Sequence, residues 1–285
     1  MNCSGNTLPY LLRLLDDDQP DVRREVTAQL STYGGDLSDQ IAGLGIELPP
    51  ADRDLLSEIL RPARRDSLRE TWFTPSRSLT TPDGDWEGFE SFLRMLSDYL
   101  HDGIFLRPSL SDALDELAEE SSALDLNDPI PLAQWLFDSE RLAPNRLDYY
   151  NPKNSDLAEV LETGLGNPLS LCLVLILVAQ RRDIPIFGCN YPGHFLCWTD
   201  TSSGPLVIDP YNCARTLPVK QILSNNPGLS ENSKKALSAP CSQLDILQRM
   251  LSNLSHAYTK LESPDDIALM RELLDSVEDV QFSIA

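Results

Sequence analysis

Residues Leu171 to Ala179 read LCLVLILVA, nine apolar positions with no charge among them. A helix that is apolar on every side must be enclosed by other elements, so this segment predicts the central helix of a core. Its boundaries are legible too. Asn167 supplies an N-cap, Pro168 takes the first helical position, and Arg181 and Arg182 complement the negative end of the helix dipole.

Three short segments follow, Ile184 to Cys189, His194 to Trp198 and Leu206 to Asp209, rich in β-branched and aromatic residues and separated by Pro, Gly, Ser and Thr. They predict antiparallel strands. The midpoint of His194 and Asp209 falls between Thr201 and Ser202, inside the turn-like stretch 200–204, so a simple hairpin sets the two residues opposite each other. An Asp hydrogen-bonded to that His fixes the imidazole tautomer and raises its basicity, which is the orienting half of a Cys-His-Asp or Ser-His-Asp site. The same pair serves equally well as a satisfied structural contact. Gly193 permits close backbone approach before the His, and Pro210 ends the strand after the Asp.

The ordered segments NRLDYYNPKNSDLAEVLETGLGNPLSL, IPIFGCNYPGHFLCW and VIDPYN resemble the bacterial SirB-type branch of the transglutaminase-like superfamily. The resemblance runs from about Trp86 to Leu223. It implies an α+β, predominantly helical fold with a papain-like core, a central buried helix packed on a small antiparallel sheet. In catalytically active relatives the nucleophile is a Cys two residues after a Gly at the start of the central helix. Matching that Gly to Gly166 implies Pro168 at the nucleophile position, His194 at the general base and Asp209 at the orienting carboxylate. A thiol gains thiolate character at a helix N-terminus, whereas Pro suits the first helical position and is chemically inert.

Substitute nucleophiles are few. Cys172 lies about 40° round the helix from Pro168 but roughly 6 Å further along it, a depth that favours a buried thiol. Ser170 is rotated by about 200° and is expected to bond the helix end. Cys197, three residues after His194, falls on the opposite strand face. Cys189 and Cys213 lie near strand ends, and Cys213 is the better placed of the two. Asn190, Tyr191, Gly193, Trp198, Tyr149 and Tyr150 are candidates to wall a binding cleft beside His194, with core packing the alternative for the aromatic rings.

No metal is expected, because no Cys-x-x-Cys or His-x-x-x-His pair occurs and alternation turns Cys197 away from His194. No cofactor is expected either. His101, in the helix-ending DYLHDG, is assigned to capping carbonyls, and His256 lies on an amphipathic helix. With 44 acidic against 23 basic residues the net charge is −21, which argues against a nucleic-acid surface. Arg61, Arg64, Arg65 and Arg69 repeat at helical spacing and read as a solvated helix face. No segment approaches the ~20 uncharged apolar residues of a membrane span. The start MNCSGNTLPYLLRLLDDD lacks a signal-like pattern, Cys3 has no apolar run before it, and six unpatterned cysteines predict reduced thiols in the cytoplasm.

Three regions are expected. Residues 1–80 form a helical module, with LLRLLDDDQPDVRREVTAQL resembling a HEAT-type helix pair and Thr74 to Asp85 a linker. Residues 81–238 form the transglutaminase-like core, entered through helices Trp86 to Leu100, Leu110 to Ser121, Pro129 to Leu142 and Ser155 to Glu162. Residues 239–285 form a helical hairpin resembling a tetratricopeptide unit, and its expected role is to cover the core. Two functions fit this pattern. One is a non-catalytic interaction or regulatory protein with a protein or peptide partner and no nucleic acid or membrane. The other is an acyl-transfer enzyme, a peptidase, amidase or transglutaminase, with a relocated nucleophile.

Overall fold

The computed structural model describes residues 7–124, 128–138 and 141–282; Cys3 and the chain start lie outside them. The protein is predominantly helical with small sheets and divides into two compact units. One takes Met1–Trp72 and Asp98–Arg107, the other Phe73–Ser97 and Pro108–Ala285.

The first unit contains α1 (Leu8–Arg13), α2 (Pro20–Leu30), α3 (Ser38–Leu44) and α4 (Pro50–Thr71). Pro20 and Pro50 each open a helix, where the absent N–H has no intrahelical partner to lose. Leu12, Leu30, Leu37, Leu56 and Leu60 close its core. The α4 arginines do not form a uniformly solvated face, because Arg64 is buried. Its Nη1 donates to the carbonyls of Asp102 at 2.9 Å and Gly35 at 3.4 Å, and its Nη2 to Ser57 O at 3.1 Å. The carbonyls of Gly35 and Asp102 lie outside helices and strands and take a donor with reach, which a guanidinium on an apolar stem provides. His101 also differs from expectation: its ring faces Asp36 and Asp102 at 3.7 and 3.4 Å rather than carbonyls. The hydrogen bond from His101, joined by those of Ser38, holds the Asp36 carboxyl well below the usual carboxylate range against the effect of burial.

In the second unit α5 (Trp86–Leu100), whose last residues count with the first unit, α6 (Leu110–Glu120), α7 (Pro129–Phe137) and α8 (Leu157–Thr163) precede α9 (Pro168–Arg181). Every residue of α9 from Pro168 to Ala179 is buried. It packs against α6, α7 and α8 and, elsewhere on its surface, against strands β3 (Phe187–Cys189) and β4 (Leu196–Thr201). Burying one Leu, Ile or Val side chain contributes about 1.5–3 kcal/mol, so the apolar run of this helix contributes strongly to the unit's stability. Arg181 leaves its end to bridge Glu90 at 2.8 Å and Asp115 at 2.5 Å.

The sheet continues through β5 (Gly204–Asp209) and β6 (Arg215–Pro218) in the antiparallel order β3-β4-β5-β6. Cys197 turns towards α9, its thiol donating to Cys172 O at 3.7 Å. The opposite face, with Leu196 and Val207, packs with Val219 and Leu237 from α10 (Val219–Asn225) and α11 (Glu231–Ser238). A separate two-residue parallel pair, β1 (Ala143–Pro144) with β2 (Leu165–Gly166), ties the 145–151 loop to the start of α9. The helices α12 (Gln243–Lys260) and α13 (Pro264–Phe282) pack on each other. The stretch expected as a linker is itself packed: Leu79 is buried, and a Cβ on Gly84 would meet Gln243 of α12 at 2.6 Å.

Candidate functional site

The site begins at the N-terminus of α9. Asn167 is the N-cap: its Oδ1 accepts from Ser170 N at 2.9 Å, and its own N–H donates to Ser170 Oγ at 2.9 Å, a closed capping box. Ser170 is therefore committed to the helix end. Gly166 is required by close approach, since a Cβ there would lie 2.7 Å from Ser170 Oγ. Pro168 occupies the first helical position and is buried.

His194 lies in the turn leading into β4, and Asp209 ends β5. His194 Nε2 and Asp209 Oδ1 are 2.8 Å apart. The hairpin is not the one the sequence suggested. Thr201 pairs with Gly204 and Cys197 with Ile208, so a tight Ser202-Ser203 turn shifts the register by two residues and the His reaches Asp209 diagonally. Because side chains alternate with a period of two, that shift leaves the pair on the same side. Gly193 contributes conformation rather than close approach. Its φ is +79° and a Cβ there would meet nothing within 4 Å, so the turn before His194 needs a left-handed residue.

Burial works to raise the Asp209 pKa, but hydrogen bonds from His194 and from Asn212, whose Nδ2 donates at 2.7 Å, outweigh it and hold the group below its usual value. The carboxylate is ionised at neutral pH and accepts from Nε2–H, which leaves Nδ1 as the imidazole's basic nitrogen. This fits orientation of a general base. The thiols nearby are turned elsewhere. Cys172 is fully buried, its Sγ donating to Phe195 O at 3.5 Å, and desolvation drives its pKa well upward. Cys189 bonds Ala236 O at 3.2 Å, with burial pushing its pKa to about 12. Cys213 is exposed, in a left-handed conformation at φ 54°, where the 3-10 turn Pro210–Asn212 ends.

The candidate cleft residues separate into two groups. Tyr149 and Tyr150 stand edge to face with centroids 5.2 Å apart and reach the site through Tyr211, which is 6.4 Å from Tyr149 and 6.0 Å from His194. Tyr191 and Trp198 sit in the apolar cluster with Val207 and Leu237, and Trp198 Nε1 donates to Leu237 O at 3.2 Å. Asn190 accepts from Arg249 of α12 at 3.2 Å. It also borders a cleft of about 570 Å³ with Lys235, Pro240 and Cys241. Tyr211 and Arg249 are additions to the sequence reading. Tyr211 had a signal, lying two residues beyond Asp209 within VIDPYN, whereas nothing local connects Arg249 to Asn190, 59 positions earlier.

Among the described residues no group of three or more His, Cys, Asp or Glu is arranged to hold a metal ion. No helix among them is long and apolar enough to cross a membrane. Residues 108–252, which contain α9, the sheet and the His194–Asp209 pair, match the model of the transglutaminase-like superfamily. The chain belongs to that superfamily. Among curated proteins this transglutaminase-like chain is 36% identical over 141 residues to a UPF0162 protein of Xylella fastidiosa, covering 47% of the chain and 50% of the relative. A UPF0162 protein of Pseudomonas aeruginosa is 32% identical over 115 residues, covering 40% and 42%. F-box only protein 21 of Mus musculus is 27% identical over 183 residues, covering 61% of this chain and 28% of that one. The chain thus spans half or less of the length of each of these relatives. No solved structure matches it.

Proposed function

We propose that this protein is a non-catalytic member of the transglutaminase-like superfamily, a protein-binding or regulatory module of the SirB type in which Pro168 stands where active relatives carry the nucleophilic Cys. The observation that carries the reading is the start of α9. Pro168 closes the first helical position, and the next thiol along the helix, Cys172, is buried, protonated at neutral pH and bonded to a backbone carbonyl. Nucleophilic catalysis requires the attacking atom within about 3 Å of its base. On this reading His194 and Asp209 persist as an oriented pair that shapes a ligand surface. The HEAT-like N-terminal helices and the tetratricopeptide-like C-terminal pair are accessory binding or covering modules. The free described thiols support residence in the cytoplasm.

The competing reading, an acyl-transfer enzyme with a relocated nucleophile, draws on the exposure of Cys213, four residues beyond Asp209. The test is a panel of activated esters and of glutamine amides with a primary amine acceptor, assayed with the native chain and with His194→Ala. Equal background rates support the non-catalytic reading. Turnover lost in His194→Ala, and again in Cys213→Ser, establishes the enzyme.

A further inference from the structure

Beside the His194–Asp209 pair the second unit gathers rings and cations from separate segments. The guanidinium of Arg146 stands 4.9 Å over Tyr211, and Lys260 Nζ stands 5.6 Å over Tyr150. Arg249 spends one N–H on Asn190, and its positive charge acts to lower the pKa of Tyr149, a pKa that burial and the other tyrosines raise. On α12, Arg249 and Lys260 are eleven residues apart, which places them about 20° from one another around the helix and ~16 Å apart along the axis.

What sets these three cations apart is that they gather around one cluster of rings, Tyr149, Tyr150 and Tyr211, without a carboxylate between them. Arg141, Lys153, Arg181 and Lys234 all pair with carboxylates. Arg146, Arg249 and Lys260 face none at ion-pair distance among the described residues, in a chain with nearly two acids per base. Two acids beside the surface are engaged by other groups, Asp148 by Asn151 at 2.9 Å and Asp209 by His194 and Asn212. The same loop exposes large apolar groups: Leu147 is fully exposed, and Tyr149 and Tyr150 are 44% and 48% exposed. Unpaired cations beside exposed apolar side chains mark a docking surface.

We propose that this face docks an acidic, extended peptide segment of a partner protein, its carboxylates met by Arg146, Arg249 and Lys260 and its chain lying along Tyr149, Tyr150 and Tyr211. This rests on the reading of the site as a binding surface. An extended strand advances about 3.3 Å per residue, so five or six residues cover the α12 cations. A nucleic-acid strand fits less well, because cations already lie over the rings of Tyr211 and Tyr150 and occupy planes on which bases would stack.

The experiment is fluorescence anisotropy with labelled, capped hexaglutamate, hexaglutamine and a six-residue oligothymidylate. The proposal expects hexaglutamate to bind at least tenfold more tightly than either other probe and to weaken as salt is raised. The double variant Arg249→Glu/Lys260→Glu, checked for native thermal unfolding, should lose at least tenfold. Arg249→Gln/Lys260→Gln provides a second, milder loss should the first variant fail to fold. Arg53→Glu together with Arg13→Glu, an equal charge change in the first unit, should lose less than twofold. Equal binding of hexaglutamine, tighter binding of the oligonucleotide, or an equal loss in the first-unit variant overturns the proposal. Turnover dependent on His194 would sink the non-catalytic reading without altering these affinities, so the two failures are distinguishable.

Discussion

The thiol of Cys172 ends at the carbonyl of Phe195, 3.5 Å away, one residue along the chain from the imidazole of His194. Helical geometry puts this thiol a full turn inside the position held by Pro168, and the enclosing core keeps it there. Burial disfavours the thiolate, so proximity to the oriented His does not create a nucleophile.

Pro168→Cys should install a thiol where α9 begins, with the helix N-terminus lowering its pKa. Alkylation monitored against pH should find it half-reacting below the ordinary cysteine range, at a stability loss of about 0.5–1 kcal/mol from the freed backbone. A thiol there as sluggish as Cys172 would discredit the match of Pro168 to the nucleophile position.

Asp209 is held below its usual pKa, so its hydrogen bonds contribute stability that is fully present above the unfolded-state carboxylate value and is lost as pH falls through the depressed folded value. Urea midpoints measured from pH 6 to pH 2 should fall less steeply in Asp209→Asn than in the native chain. Asp36, depressed through His101, contributes in the same direction, so Asp36→Asn should flatten the acid limb further. A slope unchanged in both variants would contradict the assigned interactions.

Arg64→Met keeps the apolar stem and removes the donors to Asp102, Gly35 and Ser57. The Gly35 and Asp102 carbonyls, outside helices and strands, lose this donor at a cost of roughly 1–3 kcal/mol each, so the variant should unfold at visibly lower denaturant. Arg65→Met, on the same helix, is the comparison. Equal midpoints for the two variants would mean that Arg64 does not clamp these carbonyls.

The central helix was legible because its apolar run, its capping Asn167 and its Pro168 all state the same thing locally, and the structure places α9 at Pro168–Arg181. Register was less legible. Counting inward from His194 and Asp209 assumes both are strand residues, yet His194 belongs to the preceding turn, and the alternation of side chains hid a two-residue slip. The edge strand Arg215–Pro218 and the short helices α3, α10 and α11 carried too little periodicity to stand out. The inward turn of Arg64 is illegible for a different reason: helical spacing of like charges describes a face, and only the carbonyls at Gly35 and Asp102, distant in sequence, decide that one member turns inward. The Arg249–Asn190 contact is equally non-local.

The most direct test of the account is timed alkylation of every cysteine at pH 7, resolved by mass spectrometry, in the native chain and in His194→Ala. Exposed Cys213 is expected to react first and at the same rate in both proteins, while Cys172, Cys189 and Cys197 stay protected until the chain unfolds. One thiol reacting far faster than Cys213 does in unfolded chain, and losing that advantage in His194→Ala, would show a working thiol–imidazole pair and contradict it.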